Sequence, residues 1–158
     1  MQTITHTLKD TRQFAQYVVN LLKQSADINR RAVVLALSGP LGAGKTALTK
    51  CIAEILGVSD TVTSPTFVLR SDYVTDDSVF ARLIHIDVYR LEASEIQTIG
   101  WDDVITSPNT LVVVEWSERV AEHLPPDTHT IAIDMKGDVH TFALENTART
   151  IHIPTPLI

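Results

Sequence analysis

The run Gly39-Pro40-Leu41-Gly42-Ala43-Gly44-Lys45-Thr46 fits the pattern G-x-x-x-x-G-K-[ST], and its chemistry is the holding of phosphate. Glycines let the backbone turn tightly and aim its N–H groups at anionic oxygens. A helix starting at Lys45 adds the positive end of its dipole to the same place. From there Lys45 reaches the β- and γ-phosphates of a nucleoside triphosphate, and the Thr46 hydroxyl is a ligand for Mg2+. The expectation is a P-loop that binds ATP with magnesium.

Such a loop needs a carboxylate for the metal and a group to orient the attacking water. Two acids end apolar runs. Glu115 follows Leu111-Val112-Val113-Val114, an acid at the tip of a buried strand, as in a Walker B arrangement. Asp87 lies in His85-Ile86-Asp87-Val88-Tyr89-Arg90. Strand alternation puts His85, Asp87 and Tyr89 on one face and Ile84, Ile86 and Val88 on the other. Read alone, Glu115 suits a solvated strand end as well as a metal site, and Asp87 suits the wet face of an edge strand. A P-loop in the same chain favours the functional reading of both, because open α/β sheets bind ligands at the carboxyl ends of their strands. Thr63-Ser64-Pro65-Thr66-Phe67 is a hydroxyl-rich turn, either a loop closing over the γ-phosphate or the start of the next strand; on these residues alone the second reading is the better one.

The elements that position these groups follow from apolar spacing. Residues 10–25 carry Phe14, Val18, Leu21 and Leu22 at helical intervals, with Asp10 or Thr11 as N-cap. Residues 32–37 are apolar throughout, which suits a strand covered on both faces in a parallel sheet. After the loop a helix covers residues 45–56 and stops at Gly57. Strands are expected over 68–73 and 82–89, separated by Thr75-Asp76-Asp77-Ser78. Short helices follow over 94–99 and 101–105, then a buried strand over 111–114. Residues 128–134, 139–144 and 149–153 read as closing strands, with Gly137 at a turn. The fold class is α/β: a three-layer P-loop NTPase fold, mostly parallel with an antiparallel C-terminal portion, in a single domain over residues 1–158.

Composition narrows the function classes. Thirteen Lys and Arg against nineteen Asp and Glu leave a net charge of -6, and no basic cluster is present to grip a phosphate backbone. Any contact with RNA is therefore expected to run through a partner. No apolar run approaches the ~20 residues of a membrane helix. A single cysteine, Cys51, and a start without a basic-then-apolar leader point to the cytoplasm. The five histidines besides His85 show no zinc-ligand spacing. A small metabolite kinase is the alternative enzyme, but its mobile arginine lid has no counterpart among these scattered arginines. No N-K-x-D run marks a GTPase. A nucleotide-responsive adaptor with little turnover is the alternative from another class.

In combination, Leu41 to Thr46, Ser64-Pro65-Thr66-Phe67, His85-Ile86-Asp87-Val88-Tyr89-Arg90-Leu91 and Val114-Glu115-Trp116-Ser117-Glu118-Arg119 resemble the TsaE family in order and spacing. The resemblance implies an ATPase of bacterial tRNA threonylcarbamoyladenosine synthesis. Such an ATPase assembles with TsaB and TsaD and resets that complex by hydrolysis, meeting tRNA only through it. It further implies catalytic roles for Lys45, Asp87 and Glu115, with Thr46 and Glu115 holding Mg2+. Gly42, Ala43, Gly44, Lys45, Thr46, Ala47, Asp87 and Trp116 would surround the nucleotide, and Thr11 would line the adenine pocket. Ser64, Pro65, Thr66 and Phe67 would form the nucleotide-sensing switch loop. Ala47 stands where the family commonly has Thr or Ser. Where members often carry a late-strand arginine, this chain has Lys136-Gly137-Asp138-Val139-His140.

Overall fold

The computed structural model describes residues 2–5, 7–25, 27–136 and 139–146. The strands are β1 (Gln2–Thr5), β2 (Val33–Ser38), β3 (Arg70–Val74), β4 (Arg82–Asp87), β5 (Thr110–Glu115), β6 (His129–Lys136) and β7 (Val139–Asn146). The α-helices are α1 (Leu8–Leu22), α2 (Lys45–Ile55) and α3 (Trp101–Thr106), with 3-10 segments at Ala93–Ile99 and Ser117–His123. The seven strands form one mixed sheet in the order β1-β7-β6-β2-β5-β4-β3. Its centre, β6-β2-β5-β4, is parallel, while β7, β1 and β3 pair antiparallel on the two flanks.

The apolar runs explain why the middle of the sheet is parallel. Val33 to Leu37 and all of β5 are buried, so both faces must be covered. Odd-numbered residues of β2, β4 and β5 (Leu35, Leu37, Leu83, Leu111, Val113) pack with Phe14, Val18 and Leu22 of α1 and Leu48 and Ile52 of α2. Even-numbered residues (Val34, Ile84, Ile86, Val112, Val114) pack on the opposite face with Ile96, Trp101, Val104 and Val120. The molecule is thus α/β, with two long helices on one face and short helical segments on the other.

Several expected boundaries move. Helix α1 starts at Leu8 with Thr7 as N-cap: Thr7 Oγ1 accepts from Asp10 N and the Asp10 carboxylate accepts from Thr7 N. Asp10 is therefore the third helical residue of a capping box and not the cap, and Thr11 lies inside the helix. β1 was not anticipated; it adds to the flank by pairing with β7. β4 ends at Asp87, so Tyr89 lies beyond the strand. β4 also lies between β3 and β5, and its His85 and Asp87 are buried, which overturns the edge-strand reading of Asp87. The expected turn at Gly137 and strand over 149–153 fall outside the described residues. Among the described residues no helix is long and apolar enough to cross a membrane.

Candidate functional site

The glycine-rich loop leaves the carboxyl end of β2 and enters α2. Gly39, at φ +138, passes so close to β6 that a Cβ would stand 2.2 Å from the Ile133 carbonyl oxygen. Gly44 turns the chain into α2 at φ +102, a conformation that side chains resist. Lys45, 4% exposed, donates to the carbonyl oxygens of Gly39 at 2.6 Å and Pro40 at 2.9 Å. Its ammonium also lies 3.6 Å from the centroid of the Trp116 ring, a cation–π contact. Burial pulls the Lys45 pKa below the ordinary lysine value, opposed by the charges of Glu115, Glu118 and Asp87.

Asp87 and Glu115 close parallel neighbours and are register partners across the β4–β5 ladder. Both are 2% exposed, so the solvated strand-end reading of Glu115 does not hold either. Each carboxylate is held by a hydroxyl from another element. Thr46 Oγ1, in the first turn of α2, donates to Glu115 Oε2 at 2.9 Å. Thr66 Oγ1, from the loop before β3, donates to Asp87 Oδ2 at 2.8 Å, and Tyr89 N donates to Asp87 Oδ1 at 2.9 Å.

The 63–67 segment does not begin the next strand. A turn in which Val68 N and Leu69 N both donate to Pro65 O delays β3 until Arg70. Ser64 and Thr66 share a hydroxyl contact of 2.7 Å at the mouth of the site. Phe67 faces outward, 81% exposed, under the Arg90 guanidinium at 4.5 Å. Trp116, left-handed at φ 62, turns its ring to Lys45 and to Tyr89, whose ring centroid is 4.7 Å away.

A cavity of about 220 Å³ joins these parts. Its lining holds Gly42, Ala43, Gly44, Lys45, Thr46 and Ala47 with Leu41, Ser64, Thr66, Asp87, Glu115 and Trp116. Thr11, Pro65 and Phe67 are not part of that lining. Thr11 is buried on α1 and its hydroxyl donates to Thr7 O at 3.3 Å.

Three contacting side chains were not assigned roles from sequence. His85 Nε2 meets Glu115 Oε1 at 2.7 Å, and Thr49 Oγ1 lies 3.5 Å from the same oxygen. The position of Thr49, three residues after Thr46, was a legible signal, because that spacing repeats a helix face. His140 on β7 bonds through Nδ1 to Ala43 O at 2.8 Å, so a side chain of the late hairpin reaches the loop. No sequence spacing links residue 140 to residue 43; the sheet order does.

The donors suit a hard cation. Thr46 Oγ1, Glu115 and Asp87 offer oxygen alone, and among the described residues no group of three or more His, Cys, Asp or Glu side chains forms a dedicated metal cage. Mg2+ fits such a sparse oxygen set, since it retains waters and binds through one or two side chains plus phosphate.

Comparison with known proteins shows the family. The family model described as "Threonylcarbamoyl adenosine biosynthesis protein TsaE" matches residues 5–143. The "tRNA threonylcarbamoyladenosine biosynthesis protein TsaE" of Bacillus subtilis (strain 168) is 39% identical over 75% of this chain and 72% of its own length. The protein of the same name from Treponema pallidum (strain Nichols) is 34% identical over 87% of this chain and 94% of its own. The crystal structure of Bacillus subtilis YdiB superposes with a TM-score of 0.71 at 27% identity, covering 93% of this chain and 85% of the other. With its sequence matched over most of its length and its backbone alike, the chain belongs to the TsaE family of threonylcarbamoyl adenosine biosynthesis proteins.

Proposed function

We propose that this protein is the Mg2+-dependent ATPase of tRNA threonylcarbamoyladenosine synthesis, built on a P-loop NTPase fold, and that its hydrolysis resets a complex of TsaB and TsaD. The observation that carries the reading is the convergence of Lys45, Thr46–Glu115 and Thr66–Asp87 on one cavity at the carboxyl ends of β2, β4 and β5. Family membership supplies the pathway.

Each group has a role that its surroundings support. Backbone N–H groups of residues 42–46 would cradle the phosphates, with the α2 dipole behind them. Lys45 would exchange the carbonyls of Gly39 and Pro40 for phosphate oxygens, gaining a charged acceptor in place of neutral ones. Thr46 and Glu115 would hold Mg2+, whose charge would offset that of the β- and γ-phosphates. Asp87, tied to the 63–67 loop through Thr66, would orient the attacking water and report the γ-phosphate to that loop. Trp116 would lie beside the nucleotide, and Thr11 is retained as an adenine-side residue. Arg90 stacks on Phe67 and Arg119 reaches Glu92 at 3.5 Å, so neither is aimed into the cavity. Hydrolysis by the chain alone is accordingly weak, and partners complete the site. The tRNA is reached only through those partners, in keeping with the net charge of -6.

Titration calorimetry with ATP and Mg2+ tests the binding half of the reading. Saturable binding that disappears in Lys45→Ala is expected. A Lys45→Ala variant that binds ATP–Mg2+ like the parent would overturn it.

A further inference from the structure

We infer that His85 is a positioning residue for the magnesium site, acting through Glu115 on the Thr46 hydroxyl; this rests on the ATP–Mg2+ reading above. His85 is wholly buried in the middle of β4, two residues before Asp87 and on the same face. Its Nε2 lies 2.7 Å from Glu115 Oε1. A carboxylate only accepts hydrogen bonds, so Nε2 carries the hydrogen of this contact. The other ring nitrogen, Nδ1, is buried with no hydrogen-bond partner among the described residues. A histidine serving only to fill the core would leave a polar atom stranded for no return, since leucine fills similar space without one. Its hydrogen bond to Glu115 supplies the return.

The remaining contacts show what that bond accomplishes. Among the described residues Glu115 Oε1 has one other hydrogen-bond partner, the Thr49 hydroxyl at 3.5 Å, and that hydroxyl already donates to Lys45 O at 3.0 Å. His85 is thus the short donor that fixes the rotation of the carboxylate. With Oε1 so held, Oε2 faces Thr46 Oγ1 at 2.9 Å and takes its hydrogen. A hydroxyl that has donated its hydrogen to a carboxylate has only lone pairs left to offer a cation. The chain His85–Glu115–Thr46 therefore presents a ligand oxygen in the orientation a metal needs, as hydrogen bonds behind metal-binding side chains do elsewhere.

The test compares His85→Leu, His85→Asn and His85→Gln with the parent in Mg2+ titrations of ATP binding, followed by calorimetry with and without EDTA. Glutamine places an amide N–H near the position of Nε2; the shorter asparagine and the apolar leucine do not. Leu and Asn are expected to raise the Mg2+ concentration for half-maximal binding by about 10- to 100-fold. The Gln variant should return to within about threefold of the parent, and metal-free ATP binding should be the same in all four proteins. If Leu does not fold, the Asn and Gln pair decides. The inference is overturned if folded Asn and Gln variants share the parent's Mg2+ dependence. It is equally overturned if ATP binding weakens to the same extent in EDTA. A parent whose ATP binding ignores Mg2+ would instead remove the magnesium reading, and this inference with it.

Discussion

Asp87 receives a hydrogen bond on each oxygen, from Thr66 and from the backbone of Tyr89, and among the described residues its carboxylate forms no ion pair. Replacing it by Asn keeps the size and one acceptor while removing the charge. If Asp87 orients the water, Asp87→Asn should slow hydrolysis by about 10²- to 10⁴-fold while ATP affinity stays within a few-fold. Single-turnover hydrolysis read beside calorimetry separates the two, and equal loss of both would assign Asp87 to binding. Much of this arrangement was legible in the residues. The loop spacing named Lys45 and Thr46, and acids at the tips of apolar runs named Asp87 and Glu115. Strand alternation set His85 and Asp87 on one face but carried Tyr89 with them, because nothing in the pattern shows that β4 stops at Asp87. The role of His85 was not legible, since a hydrogen bond to Glu115 depends on which strand lies beside β4.

At the scale of elements, the loop is pinned by its neighbours as much as by its own glycines. Gly39→Ala would drive a Cβ into the Ile133 carbonyl of β6 while keeping a backbone that alanine resists. The conformational strain alone costs about 1–3 kcal/mol, and the loop must also shift. A lowered urea midpoint together with weakened ATP binding is expected; an unchanged midpoint would show that β6 yields. Phe142 on β7 is 1% exposed, and its ring centroid lies 4.9 Å from that of Phe14 on α1. Phe142→Ala should cost about 3–5 kcal/mol of stability in urea denaturation. Elements with fully apolar strands and a glycine stop, β2, α2 and β5, were readable because burial on both faces leaves no polar alternation. The start of β3 was not. Pro65 and the left-handed Leu69, at φ 65, insert a turn among residues that otherwise suit a strand. β1 is four residues long and takes its place from pairing with β7, a contact that no local pattern encodes.

Over the whole molecule, the α/β class followed from alternating apolar runs and helical spacing, whereas the strand order emerged only from the sheet itself. Stability should also fall on mild acidification. Burial holds His129 below its ordinary pKa of 6.5, against the pull of Asp127. The unfolded chain therefore binds more protons than the folded one as pH drops through 6.5, and stability declines in that direction. Urea midpoints at pH 7.5 and 5.5 should show a smaller difference in His129→Gln than in the parent; equal differences would place the titration elsewhere. The net charge of -6 is in keeping with the proposal that partners hold the tRNA. Among the described residues no arginine lines the cavity, and the proposed function accordingly assigns rapid hydrolysis to an assembly. The most direct test measures ATP hydrolysis by the chain alone and with purified TsaB and TsaD, with Lys45→Ala as control. Turnover that is slow alone, rises at least about tenfold with the partners and vanishes in Lys45→Ala is the predicted result. Partners that form no complex and leave the rate unchanged would contradict a complex-dependent ATPase of tRNA modification.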